Sequence, residues 1–164
     1  LVQLIEADLI DRYQLPAQKL PDSPEPVFRW QRGQPGPDGE AVSYALRSRW
    51  SESSRPTTCF AASRLACNLF AAFDRKVRPF DTTHDLMLAE AYLHYRREAP
   101  EAAASWVGED ALGKAGFMTK DPDAFLFRNG KPVHVIESGG RYDAARIRDF
   151  HRHCHQRDLS YEIW

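Results

Sequence analysis

The chain has 164 residues, 43% of them apolar and 27% charged, with a formal net charge of −1. Those figures suit one globular domain, or one domain with an N-terminal appendage, and exclude a disordered or fibrous protein. No apolar run approaches the ~20 residues that span a bilayer, and Glu6, Asp8 and Asp11 interrupt the start, so neither a membrane span nor a signal peptide is expected and a cytoplasmic location is predicted. Leu1 stands where a start methionine would, which predicts a piece of a longer chain. Cys59, Cys67 and Cys154 are too few and too scattered for a disulfide framework and read as buried thiols.

In chain order, Val2, Ile5, Leu9 and Tyr13 recur at helical spacing with Glu6, Asp8 and Asp11 off that face, predicting an amphipathic helix stopped by Pro16 and the proline run 21–26. Residues 27–30 and 41–46 read as strands flanking the turn-rich 33–39, a long hairpin. Residues 57–62 are rich in strand formers, and Ser63 can cap a helix through Leu65, Leu69 and Phe70. Thr82 or Thr83 can cap a longer helix from His84 to about Glu98, ended near Pro100. Trp106-Val107 reads as a short strand and 113–116 as a loop. Two strands then flank Asn129-Gly130, one starting at Asp123 and the other ending at Glu137. A helix over about 142–157 and a closing strand over 160–164 follow. From His84 onward the order is helix, short strand, strand, strand, helix, strand, an α/β core of mixed sheet and flanking helices. The expected division is 1–62, a helix plus long hairpin, and 63–164, the core.

Two acids at facing ends of adjacent strands can share a divalent cation, because hard ions such as Mg²⁺ and Mn²⁺ prefer oxygen ligands and keep positions open for water or phosphate. Asp123 and Glu137 have that placement if Asn129-Gly130 closes a tight hairpin, and Glu90, bordered by Leu86, Met87, Leu93 and His94, is the candidate third ligand. In the alternative reading Asp123 caps a turn after Pro122 and Glu137 pairs with an arginine. Gly139-Gly140 either exposes amide groups to a phosphate at a helix N-terminus or makes a tight strand-to-helix turn. In His151-Arg152-His153-Cys154-His155 only His151 and His155 have chelating spacing, so His151 and Cys154 read as core contacts.

The near-zero net charge hides an asymmetry. Residues 1–26 carry five acids against two bases, whereas 47–78 carry seven Lys/Arg against two acids, interleaved with Trp50, Phe60, Phe70 and Phe73. Such a stretch can follow a phosphate backbone, although its aromatics read as core. Arg47 and Arg49 from this region, with Arg141, Arg148 and Arg152 near and along the last helix, are the candidate DNA contacts.

The helix bearing Glu90, then Pro122-Asp123, then Glu137-Ser138-Gly139, then helix and strand, resembles the PD-(D/E)XK restriction-endonuclease-like superfamily over residues 84–164. Thr83-His84-Asp85-Leu86, Trp106-Val107-Gly108-Glu109-Asp110, Pro122-Asp123-Ala124 and Val135-Ile136-Glu137-Ser138-Gly139-Gly140 make it similar in particular to replication-relaxation-like proteins of bacterial mobile elements. The resemblance implies an αβββαβ core, a Mg²⁺- or Mn²⁺-dependent nuclease site at Asp123 and Glu137, and association with DNA in plasmid or mobile-element replication or transfer. Residues 1–62 would be the remnant of a winged-helix module. One position departs: where such a nuclease carries a lysine, two residues after Glu137, this chain has Gly139. That lysine positions or deprotonates the attacking water and stabilises charge on the phosphate. Lys120, three residues before Asp123, or Lys114 could replace it; Arg141 stays protonated and is a poor base. The expectation is a nucleic-acid-associated protein with a degenerate, non-cleaving core. The alternatives are an active Mg²⁺- or Mn²⁺-dependent nuclease with a relocated lysine and a protein-interaction domain of a larger chain.

Overall fold

Asn129 and Gly130 both take left-handed backbone, φ 52° and 72°, the geometry that lets a two-residue turn match the twist of the strands it joins. The hairpin they close lies at the centre of the larger of two compact units in the computed structural model, which describes residues 1–22, 24–72, 77–112 and 121–164. In chain order the elements are α1 (Val2–Glu6), β1 (Ile10–Ala17), β2 (Phe28–Trp30), α2 (Gly39–Arg49), β3 (Arg55–Ala62), α3 (Arg64–Leu69), α4 (Thr82–Glu98) and the single turn α5 (Pro100–Ala103). Then come β4 (Trp106–Gly108), a 3₁₀ turn (Glu109–Ala111), β5 (Ala124–Arg128), β6 (Lys131–Glu137), α6 (Ala144–Gln156) and β7 (Ser160–Ile163). Leu1–Lys19 with Glu52–Thr83 forms the smaller unit and Leu20–Ser51 with His84–Trp164 the larger.

The larger unit holds a five-stranded sheet in the order β2-β7-β6-β5-β4, antiparallel throughout except for β6 and β7, which run parallel across the α6 crossover. Strand alternation sends Phe125, Val135, Tyr161 and Ile163 to one face, where they meet Val42 and Leu46 of α2 and Ile147, Phe150 and Cys154 of α6. Ala124, Leu126, Ile136 and Trp164 pack with Met87 and Ala91 of α4 in a second cluster. The sheet is thus mixed and flanked by helices, and from α4 onward the expected order of helix, three strands, helix and strand holds, with α5 and the 3₁₀ turn added. The smaller unit is a two-stranded antiparallel ribbon of β1 and β3, with α1 and α3. Among the described residues, no helix is long and apolar enough to cross a membrane.

Two expectations fail. Residues 41–46 are helix, not strand, because the Asp38 carboxylate accepts the N–H groups of Glu40 and Ala41 and starts α2, and Val42 and Leu46, one turn apart, both bury. The long hairpin therefore does not exist; β1 pairs instead with β3, from Ile10↔Ala62 to Ala17↔Arg55. The N-terminal helix stops at Glu6, short of Tyr13. Asp8 turns the chain with φ 55°, and Arg12, Gln14 and Pro16 alternate with the more buried Tyr13, Leu15 and Ala17, so the two-residue period prevails over the helical spacing.

Replacing Asp38 with Ala removes the acceptor for two amide groups and should lower the unfolding free energy by about 1 kcal/mol, read from the denaturant midpoint. An unchanged midpoint would mean that the cap does not hold α2.

Candidate functional site at the β5 and β6 strand ends

Ala124 of β5 opposes Ile136 of β6, so the next residue on each strand brings Asp123 beside Glu137. Both side chains are buried, Asp123 at 0% and Glu137 at 2% exposure, where a carboxylate is tolerated only with partners. The partners come from the protein. The Ser138 N–H donates to Asp123 Oδ2 at 2.7 Å, and the Asp123 N–H donates to Glu137 Oε2 at 3.3 Å. The Tyr142 hydroxyl donates to Glu137 Oε1. His84 Nε2, in the first turns of α4, lies 3.0 Å from Asp123 Oδ1 without a well-directed hydrogen bond.

Burial, and then the charge of Glu137, push the Tyr142 hydroxyl far above its ordinary range, so it stays a protonated donor. Arg146 in turn donates to the Tyr142 oxygen at 2.9 Å and holds its guanidinium 3.8 Å from the centre of the ring. An arginine thus reaches Glu137 through a phenol, which neither reading of the sequence anticipated.

Gly139 is fixed by packing. A Cβ there would lie 2.5 Å from Ile163 Cγ2 and 2.8 and 2.9 Å from the Leu46 methyls, and both neighbours are fully buried. The space a side chain would enter is already filled by the α2 contribution to the core. The Gly139 N–H bonds the Trp164 carbonyl at 3.0 Å, and its own carbonyl accepts from Tyr142 N–H at 3.1 Å. With Gly140 at φ 49°, the pair makes the tight strand-to-helix turn, and Asp143 caps α6 by accepting from the Arg146 N–H.

The donors present do not fit a resident divalent cation. Three of the four carboxylate oxygens accept a hydrogen bond from the protein and the fourth, Asp123 Oδ1, has His84 Nε2 at 3.0 Å, and among the described residues no group of three or more His, Cys, Asp or Glu is arranged to hold a metal. Glu90 lies six residues beyond His84, about 120° round the helix, and makes no hydrogen bond or ion pair to Asp123 or Glu137; α4 brings His84 to the pair instead. Lys120 and Lys114 lie outside the described residues. Lys131, the described lysine of this unit, opens β6 at the end remote from Glu137.

The candidate DNA contacts divide into two sets. Arg141 donates to the Trp50 carbonyl at 2.8 Å, Arg47 to Ser43 Oγ at 2.8 Å and Arg49 to the Glu25 carbonyl at 2.7 Å; Arg49 is half-buried and its pKa is lowered by that burial. Arg148 and Arg152, one turn apart on α6, are more than half exposed, the first 4.0 Å from the Glu40 carboxylate and the second 2.8 Å from that of Asp149. Exposed pairs of this kind are weak and exchange readily with phosphate. Of the aromatics in the basic stretch Trp50 is core, but Phe60 and Phe70 are 41% and 76% exposed, contrary to the expectation that they are buried; Phe73 lies outside the described residues. His151 and Cys154 are core contacts as expected, His151 bonding the Tyr161 hydroxyl.

Sequence reasoning did not assign His84 or Tyr142 to the carboxylate pair. Their signals were a histidine in the first turn of α4 and a tyrosine just past a Gly-Gly turn. Family models, curated proteins and solved structures were compared with the chain, and none matches.

The Gly139→Ala substitution should destabilise the protein by about 1–3 kcal/mol, the usual range for overpacking a filled core, seen as a lower denaturant midpoint. A midpoint equal to wild type would show that Leu46 and Ile163 leave room.

Proposed function

We propose that this protein associates with nucleic acid through a degenerate, non-cleaving nuclease-like core. One observation carries the reading: the two strand-end carboxylates converge as a nuclease site requires, while the lysine position beside them is a glycine that packing keeps free of any side chain. Supporting it are the element order from α4 to β7 and the hairpin-plus-crossover sheet, which agree with the αβββαβ core that the resemblance implies. Arg148 and Arg152 offer two exposed cations on α6 for a phosphate backbone. The resemblance also suggests a place in plasmid or mobile-element replication or transfer.

The test is labelled duplex DNA in anisotropy and gel assays, with chelator and then with Mn²⁺. Salt-dependent binding without strand scission is expected, and the Arg148→Ala/Arg152→Ala double variant should reduce the salt slope by about two. Absence of binding, or binding indifferent to the double variant, overturns the reading. Cleavage that chelator abolishes and Asp123→Asn removes would replace it with an active nuclease.

A further inference from the structure

The β1–β3 ribbon has two unlike faces. On one lie Tyr13, Leu15, Ala17, Thr57, Cys59 and Ala61, partly or fully buried. The other is exposed, and there the register sets Arg12 directly opposite Phe60 and Gln14 opposite Thr58. Gln14 donates to the Thr58 hydroxyl at 2.6 Å, which fixes the pair next to the ring. Arg12 forms no hydrogen bond or ion pair with another described residue. Asp11, the sole acid of the two strands, lies on the other face, where the Tyr13 hydroxyl bonds it.

An exposed aromatic ring beside a guanidinium that has no partner among the described residues is chemically matched to a base and its phosphate. A base stacks on the ring whatever its sequence, and the cation meets the backbone. Phe60 is flanked across the ribbon by Arg12 and, one pair along, by Gln14 and Thr58 on one side and by Ile10 and Ala62 on the other, so the ring sits between a cation, two polar side chains and a small apolar pair. Addition of another strand is also blunted at one end, where Pro16 faces Pro56 and neither can donate from its nitrogen. A duplex hides its base faces, so the complementary ligand is single-stranded.

Resting on the proposed association with nucleic acid, we infer that the exposed face of the β1–β3 ribbon binds single-stranded nucleic acid, with Phe60 stacking on a base and Arg12 meeting a phosphate. The ligand is defined by unstacked bases on a phosphate backbone, which DNA and RNA share; oligo(dT) and oligo(U) arms of the experiment separate the two sources.

The intact chain is titrated into labelled oligo(dT), oligo(U) and duplex DNA, using wild type, Phe60→Ala, Phe60→Trp and Arg12→Ala. Phe60→Ala should weaken single-strand binding about tenfold and leave duplex binding unchanged. Phe60→Trp should restore it, with an emission change on adding oligonucleotide that wild type lacks. Arg12→Ala should lower the salt slope for single strands by about one. Since Phe60 and Arg12 are exposed, thermal melts should match wild type. Single-strand binding indifferent to all three variants overturns the ribbon site while leaving the duplex reading intact. If no nucleic acid binds at all, both fall. Concentration-dependent dimerisation lost in Phe60→Ala, without oligonucleotide binding, would assign the face to a second copy instead.

Discussion

A buried carboxylate must find partners or take up a proton, and two of them side by side double the demand. The β5–β6 register forces Asp123 and Glu137 into that position at the adjoining ends of two interior strands. The larger unit answers with its own groups: a backbone N–H from each strand end, the Tyr142 hydroxyl with Arg146 behind it, and the His84 ring. These ties join the start of α4, the hairpin and the entry to α6. Burial without solvent screening makes each tie costly to break, since a lost partner leaves a desolvated acceptor.

Gly139 belongs to the same constraint. The chain must turn sharply from β6 into α6 to carry Tyr142 back over Glu137, and Leu46 and Ile163 close against the backbone at the turn. A lysine there would have to displace the α2 contribution to the core. The lack of a side chain at residue 139 and the insertion of α2 into that core are therefore two sides of one packing arrangement.

The carboxylate pair was legible because its signal is local: an Asn-Gly turn fixes the register, and register alone decides which residues face each other. The core from α4 to β7 was legible for a similar reason, since its periods are long and its caps and turns are ordinary. Residues 41–46 misled because Val42, Tyr44 and Leu46 alternate as a strand would, while the deciding signal, the Asp38 cap, sat in a stretch dominated by glycine and proline. The N-terminal segment misled in the opposite sense. Its helical spacing is real, but β1 gains a partner in β3, far along the chain, that no local pattern reveals. The exposure of Phe60 was hidden likewise, because the face it occupies is set by that pairing.

The central claim is that the Asp123–Glu137 pair takes its partners from the protein. Calorimetric titration of the purified chain with Mn²⁺, alongside Asp123→Asn and Glu137→Gln, tests it most directly. No saturable heat beyond that of either variant is predicted. Stoichiometric binding in wild type that both variants abolish would contradict it.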